Sequence, residues 1–257
     1  MKPKISPWLI IPAPLESPVA RLFCFPYAGG SAVIYRDWAT ALADGIELVI
    51  IQLPGRANRL FEEPCKKISD VLDGLLSEII PLLDKPYFVI GHSLGGRIAL
   101  DLVSELTLRG VRLPDLFIAS GSRAPQQPLR KPSIADLPYA EFINELRLMG
   151  GTPKEVLDND EMMELFLPML RADFAMASEL REVHDLINSN LVIFWGDEDE
   201  FVTESDVMPW AEFFTGNSSV YCFNGGHFFI ETQRASVIQK INELLTNQYS
   251  LIRYVIE

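Results

Sequence analysis

The stretch of sequence that decides the fold reads Tyr87-Phe88-Val89-Ile90-Gly91-His92-Ser93-Leu94-Gly95-Gly96. An apolar run typical of a buried strand leads into Gly-x-Ser-x-Gly, and a helical pattern follows from Leu94 onward. Small residues on both sides of Ser93 allow the sharp strand-to-helix turn known as a nucleophile elbow. The stretch therefore predicts a serine hydroxyl exposed at the carboxyl edge of a sheet. The alternative is a glycine-rich turn without chemistry.

Short apolar runs alternate with longer helical patterns along the rest of the chain. This alternation is typical of an α/β fold with a mostly parallel central sheet and helices on both faces. We predict strands over residues 20–27, 47–53, 87–91, 116–119, 191–195 and 220–223. We predict helices over residues 31–42, 68–83, 94–109, 204–214 and 234–245.

One gap interrupts this alternation. About 70 residues lie between Gly121 and Leu191, far more than a simple connection between elements needs. Helical patterns inside it cover residues 139–148, 160–170 and 172–183. Because the segment is too short to bury much core alone, we expect one domain over residues 1–257, with residues 122–190 inserted as a helical lid.

The composition excludes several classes of partner. The chain has 257 residues, 48% of them apolar, and a formal net charge of −13. This sign repels nucleic acid and anionic membrane surfaces, so we expect neither as a partner. Pro12 and Pro14 interrupt the first apolar segment, which argues against a signal peptide, and three dispersed cysteines argue against a disulfide framework. We expect a cytoplasmic protein and a monomer.

A serine hydroxyl needs a histidine base to become nucleophilic, and the chain has three histidines. His227 follows the last predicted strand in a glycine-rich loop, which would present its imidazole at the sheet edge near Ser93. His92 lies in the elbow and should point away from the serine. His184 lies among charged residues, where a solvated surface position is expected. His227 is therefore the predicted base.

The acid that orients this base is expected in Gly196-Asp197-Glu198-Asp199-Glu200. This run follows the strand over residues 191–195, and most of its carboxylates should lie in a solvated turn. We choose Asp199, three residues past the glycine, and keep Asp197 as the alternative. The order Ser93, Asp199, His227 is the chain order of α/β-hydrolases.

An oxyanion hole needs two backbone N–H donors near the serine. The N–H of Leu94 is one candidate, because it opens the helix after the elbow. The second is expected from the loop over residues 25–31, with Ala28 as the donor, since Gly29 and Gly30 let the backbone approach a ligand. The same glycines are also compatible with a plain turn that caps a helix at Ser31.

Five motifs together carry a resemblance to a known family. They are Phe25-Pro26-Tyr27-Ala28-Gly29-Gly30-Ser31, Leu53-Pro54-Gly55-Arg56, Gly91-His92-Ser93-Leu94-Gly95-Gly96, Gly196-x-x-Asp199 and Gly225-Gly226-His227-Phe228-Phe229. Over nearly the whole chain the sequence resembles the discrete type II thioesterases that accompany nonribosomal peptide and polyketide synthases. Synthase-fused releasing domains usually take their acid from the strand before the lid. Here that strand ends Ala119-Ser120-Gly121-Ser122, without a carboxylate.

The resemblance implies an α/β-hydrolase fold with a helical lid and a serine hydrolase. Its substrates would be acyl or aminoacyl groups on the 4′-phosphopantetheine of carrier proteins, and its task the removal of stalled or misprimed units. It implies Ser93 as nucleophile, Asp199 and His227 as its partners, and Ala28 and Leu94 as oxyanion donors. No metal or cofactor is expected. The alternative function is a carboxylesterase or lipase that acts on free small esters.

Two further groups of residues bear on the substrate. The first group comprises candidates for contacting the pantetheine phosphate or the carrier, namely Arg97, Arg123, Arg130 and Lys131. The alternative is that these residues are ordinary surface charges. Five of the seven methionines lie in the lid, at Met149, Met162, Met163, Met169 and Met176. They are interpreted as apolar contacts between lid and body. As an alternative, flexible thioethers suit a pocket that repacks around different small to medium acyl chains.

Overall fold

The alternating apolar runs form a seven-stranded sheet in the computed structural model, which describes residues 6–129, 132–180 and 186–256. The strands are β1 Leu9–Ile10, β2 Ala20–Phe25, β3 Ile46–Ile51, β4 Tyr87–His92, β5 Leu116–Ser120, β6 Asn190–Gly196 and β7 Ser218–Phe223. Their order is β1-β3-β2-β4-β5-β6-β7, and only β1 runs antiparallel to its neighbour. The six predicted strands are confirmed. β1 was not predicted, because two paired residues are too few to show an alternating pattern.

Helices of the α type connect most of these strands in the described part of the chain. They are α1 Ile68–Ile79, α2 Leu94–Leu108, α3 Tyr139–Met149, α4 Lys154–Leu157, α5 Asp160–Ser178, α6 Glu204–Val207, α7 Phe229–Thr232 and α8 Arg234–Ile256. Short 3-10 helices cover Ala32–Ile34, Arg36–Thr40, Ala57–Arg59, Ile80–Leu82 and Met208–Phe213. No helix among the described residues is both long and apolar enough to span a membrane.

The helix predicted over residues 31–42 is instead a pair of 3-10 turns. Ala32, Tyr35 and Trp38 are all buried, at a spacing of three residues. A 3-10 helix has three residues per turn, so this spacing brings all three side chains to one face. The prediction of helical structure was right here, but its type was wrong.

The sheet is covered on both faces. Along β4, Phe88 and Ile90 point into the layer that packs against α8, whereas Val89 points into the layer formed with α1 and α2. Successive strand residues face opposite sides, which explains why these strands are apolar throughout. The predicted α/β-hydrolase architecture is thereby supported by the topology.

The connection from β5 to β6 carries α3, α4 and α5. These helices share a small apolar cluster of their own around Phe142, Leu146 and Met163. The helical structure predicted over residues 160–170 and over the first part of residues 172–183 is confirmed, but the division into two helices was wrong, because α5 is continuous from Asp160 to Ser178 and contains Pro168. Residues 181–183 of that prediction lie outside the described residues, as do Arg130, Lys131 and His184.

Candidate active site

The elbow after β4 places Ser93 at the carboxyl edge of the sheet. Ser93 has φ of 53° and ψ of −118°, a conformation that non-glycine residues rarely adopt. A Cβ on Gly91 would lie 2.4 Å from backbone atoms of Gly95, and one on Gly95 would lie 2.1 Å from the carbonyl oxygen of Phe25. Strand and helix therefore pass too closely for any larger residue at these two positions.

Asp199 and His227 meet at the same edge, on the loops that follow β6 and β7. Asp199 Oδ2 lies 2.7 Å from His227 Nδ1, and the Asp199 side chain is fully buried. The other carboxylate oxygen accepts hydrogen bonds from the N–H groups of Phe201 and Val202, at 2.8 and 3.0 Å. These bonds fix the carboxylate, which holds the proton of the imidazole on Nδ1 and leaves Nε2 as an acceptor.

The alternative acid, Asp197, has a different position. Its Oδ1 accepts a hydrogen bond of 2.8 Å from the N–H of Gly225, and its side chain is exposed. Asp197 thus shapes the loop that carries His227 without touching the imidazole.

His92 is buried directly behind His227 and points away from Ser93. Its Nε2 lies 2.9 Å from the carbonyl oxygen of His227, and its Nδ1 lies 2.9 Å from Ser120 Oγ. Because a carbonyl only accepts, Nε2 carries the proton and Nδ1 accepts from the Ser120 hydroxyl. Burial, and secondly the charge of His227, lower the pKa of His92 well below its usual value. A neutral His92 therefore supports the backbone of His227, the predicted base.

Ser93 and His227 line one cavity of about 480 Å³. Within the described residues, Asp199 and His227 are hydrogen-bonded, whereas no hydrogen bond joins Ser93 Oγ to His227. Contacts between a nucleophile and its base are often long in a free enzyme and shorten once substrate is bound. The arrangement can thus act as a nucleophile and a base that face the same bound carbonyl.

The two expected oxyanion donors also line this cavity. Within the described part of the chain, neither the N–H of Ala28 nor that of Leu94 donates to a protein acceptor. Leu94 is the first residue of α2, so its N–H has no partner inside the helix, and the helix dipole adds positive potential there. Unpaired backbone donors are rare inside proteins, and a pair beside a serine suits a developing oxyanion.

A buried ion pair supports the loop that carries Ala28. Asp173, on α5, is fully buried and forms two hydrogen bonds of 2.7 Å with the guanidinium of Arg56. The same carboxylate accepts from the N–H of Gly29 at 2.7 Å, while Arg56 donates to the carbonyl of Gly30 at 3.0 Å. Asp173 therefore ties α5 to the loop over residues 25–31, called the oxyanion loop below because it carries the predicted donor Ala28.

The structure bears on both groups of residues that were expected near the substrate. Among the five methionines of α3 to α5, Met149 lines the cavity, whereas Met163, Met169 and Met176 are buried in packing contacts and Met162 is exposed. The interpretation of most of these side chains as packing contacts is supported. The alternative that Arg97 and Arg123 are ordinary surface charges was wrong, because both are buried and line the cavity. Their contact with the pantetheine phosphate or the carrier stays a prediction.

Sequence reasoning missed the supporting roles of His92, Ser120 and Asp173. For Asp173 a signal existed, because an acidic residue stands in the apolar run that continues with Phe174, Ala175 and Met176. For His92 and Ser120 the decisive fact is their pairing across β4 and β5. A single sequence does not contain that register.

The fold and this edge of the sheet define a serine hydrolase of the α/β-hydrolase class. More specifically, the chain belongs to the thioesterase family, whose domain model matches residues 20–245. The predictions of the family, the fold and the kind of enzyme are confirmed.

Relatives and solved structures agree with this assignment. The chain is 34% identical over 237 residues to the gramicidin S biosynthesis protein GrsT of Aneurinibacillus migulanus, covering 92% of this chain and 93% of that protein. It superposes on ClbQ from the colibactin NRPS/PKS pathway with a TM-score of 0.84 at 28% identity, covering 90% of this chain and 99% of that one. YbtT, a type II thioesterase from the yersiniabactin NRPS/PKS pathway, gives a TM-score of 0.84 at 27% identity, with coverage of 94% and 99%.

Proposed function

We propose that this thioesterase hydrolyses acyl or aminoacyl groups from the 4′-phosphopantetheine arm of carrier proteins, removing stalled or misprimed units from a peptide or polyketide synthase. The observation that carries the proposal is that Ser93, His227, Ala28 and Leu94 line one cavity. The pathways in which GrsT, ClbQ and YbtT are named support the choice of substrate.

The proposed reaction has two stages. Ser93 Oγ attacks the thioester carbonyl while His227 Nε2 takes its proton, and the N–H groups of Ala28 and Leu94 stabilise the oxyanion. The carbon–sulfur bond then breaks, and His227 gives the proton to the departing pantetheine sulfur. Water activated by His227 next attacks the acyl-serine, which releases the carboxylic acid and restores the hydroxyl. Throughout, Asp199 orients His227 and stabilises its charged form.

The proposal includes the organisation of the chain. Residues 1–257 would form one hydrolase domain, in which residues 122–190 act as a lid. Two features support this, namely the separate apolar cluster of α3 to α5 and the presence of Leu146, Leu170 and Phe174 in the cavity wall. The lid would limit access of water to the acyl-enzyme.

The enzyme is proposed to work as a cytoplasmic monomer that meets its carrier only transiently. Its cysteines Cys24, Cys65 and Cys222 are free thiols, which fits a reducing compartment. A net charge of −13 favours a weak encounter with an acidic carrier. The reaction as written needs no metal or cofactor, since the pantetheine arm arrives with the substrate.

A comparison of substrates tests the proposed function. We expect kcat/KM for a propionyl-loaded carrier protein to exceed that for propionyl-CoA, and that for nitrophenyl propionate, by about tenfold or more, because only the carrier adds protein contacts. Steady-state hydrolysis of the three substrates by one enzyme preparation measures this. A nitrophenyl ester cleaved more efficiently than the carrier would instead indicate a general esterase.

A further inference from the structure

Two buried arginines face the cavity beside the nucleophile. Arg97 and Arg123 are only 5% and 8% exposed, and both line the same cavity as Ser93. Arg97 lies on α2, four residues after Ser93, and Arg123 follows the end of β5. The reaction proposed above uses neither side chain.

Their hydrogen-bonding capacity is not satisfied by the protein. Within the described residues, Nε and Nη1 of Arg97 and Nη1 of Arg123 are buried without an acceptor. Leaving a buried donor of a charged group unpaired costs more than leaving a neutral one unpaired. These three atoms have almost no accessible surface, so an acceptor that enters the cavity reaches them only after a change in the conformation of the arginine side chains. Such an acceptor would complete the hydrogen bonding of both guanidinium groups.

The electrostatics favour an anion over a neutral acceptor. Burial, and secondly the charge of Arg123, lower the pKa of Arg97 to about 10. Asp101 and Glu179 act on Arg97 in the opposite direction, and Asp206 does so on Arg123. Both guanidinium groups remain charged at neutral pH. A bound anion would relieve both their mutual repulsion and their missing hydrogen bonds.

The position of Arg97 determines which anion fits. The rise of an α-helix places its Cα only about 6 Å along the axis from that of Ser93. The phosphate of the pantetheine arm is separated from the reacting carbonyl by the whole pantetheine chain. A carboxylate at the end of a short acyl group lies a few bonds from that carbonyl. The short separation of Arg97 from Ser93 thus suits the end of a short acyl group better than the phosphate.

We propose that Arg97 and Arg123 form a carboxylate subsite, which selects short acyl groups that end in a carboxylate. This proposal rests on the proposed thioesterase function and adds the class of acyl group that the cavity prefers. Such a group would place its thioester carbonyl at Ser93 and its far carboxylate between the two guanidinium groups.

Paired acyl groups test the subsite. One carrier protein would be loaded with succinyl, and another with 4-oxopentanoyl, which has the same length but ends in a methyl ketone. We expect wild-type kcat/KM to favour succinyl by about ten- to a hundredfold, the range typical of hydrogen bonds to charged groups. Arg97→Gln and Arg123→Gln should each remove most of this preference, whereas Arg109→Gln, an exposed arginine at the end of α2, should retain it.

The outcomes separate the two proposals. If both substrates are hydrolysed at equal rates, or if the preference survives in both glutamine variants, the carboxylate subsite is contradicted while the thioesterase function stands. If neither carrier is hydrolysed and propionyl carrier is also stable, the proposed function itself fails.

Two measurements on the wild-type enzyme need no variant, in case either substitution prevents folding. Free succinate should inhibit hydrolysis of propionyl carrier at lower concentrations than butyrate does, and equal inhibition would contradict the subsite. The second compares succinyl-pantetheine with succinyl-4′-phosphopantetheine. If adding the phosphate raises kcat/KM by a larger factor than replacing 4-oxopentanoyl by succinyl does on the carrier protein, the anion that the cavity recognises is the phosphate and the proposal is overturned.

Discussion

Ser93 is held in a backbone conformation that costs about 1 to 3 kcal/mol, with φ of 53°. The surrounding structure maintains it, since the N–H of Ser93 donates to the carbonyl of Ser120 at 2.8 Å and Ser122 Oγ donates to the carbonyl of Ser93 at 2.8 Å. His227, the proposed base, is held at its backbone carbonyl by His92 and at its ring by Asp199. At this scale the site depends on neighbours that themselves do no chemistry.

His92 makes stability depend on pH. It stays neutral in the folded protein but protonates near pH 6.5 when unfolded, so the unfolded state binds the additional proton as the pH falls. The free energy of unfolding should therefore decrease below about pH 6.5, by at most about 1.4 kcal/mol per pH unit from this residue. In His92→Gln, whose amide can still donate to the His227 carbonyl, this part of the slope should disappear.

Urea unfolding of both proteins between about pH 5 and pH 8 measures the difference. Identical slopes would contradict a neutral His92 in the folded state.

Much of the site was predictable at the residue scale, because its signals are local. Glycines flank Ser93, His227 stands in a glycine-rich loop, and Asp199 follows a strand at a defined distance. The pairing of His92 with Ser120 depends on the register of β4 and β5. That register is set by packing across the sheet, which local patterns do not record.

At the scale of elements, α5 is the link between the segment over residues 122–190 and the oxyanion loop. Its Asp173 contacts Arg56 and Gly29, far away in sequence. The ion pair is fully enclosed, with Arg56 only 4% exposed, so each partner depends on the other for its solvation.

Replacing Asp173 by Asn should be strongly destabilising. The amide keeps one acceptor but loses the charge, which leaves Arg56 buried and uncompensated, at a cost of about 3 to 5 kcal/mol in the free energy of unfolding. Glu164→Gln, an exposed position on the same helix, should change it by less than about 0.5 kcal/mol. Chemical denaturation of both variants tests this, and equal stabilities would show that the ion pair contributes little. We also expect a lower kcat in Asp173→Asn, because Gly29 loses a charged acceptor.

The types of elements were predicted well where the apolar period was long and regular, as in α2 and in the strands. The continuity of α5 was not predicted, because the charged Arg171 was placed at a break between two helices, whereas it lies inside one continuous helix. Its guanidinium donates to the backbone carbonyls of Ala135 and Leu137. Ala135 and Leu137 lie more than 30 residues before Arg171, so the helix propensities of the residues in α5 could not reveal these contacts.

At the scale of the whole molecule, the parallel sheet brings together residues that lie far apart in sequence. Strands β2, β4, β6 and β7 all end at one edge, and the loops after them supply Ala28, Ser93, Asp199 and His227. α/β sheets generally bind ligands outside the carboxyl ends of their strands. This edge was predictable from chain order. The shape and charge of the cavity above this edge were not predictable. Only the structure shows that Arg97 and Arg123 are buried in the cavity wall.

The central claim is that Ser93 carries the acyl group from a carrier to water. The most direct test is the intact mass of a propionyl-loaded carrier protein before and after incubation with the enzyme. The wild type should return the carrier to the mass of its free thiol form, whereas Ser93→Ala should leave it loaded. Ser104→Ala, at a buried position on α2, should unload the carrier like the wild type. Unloading by Ser93→Ala at the wild-type rate would contradict the account.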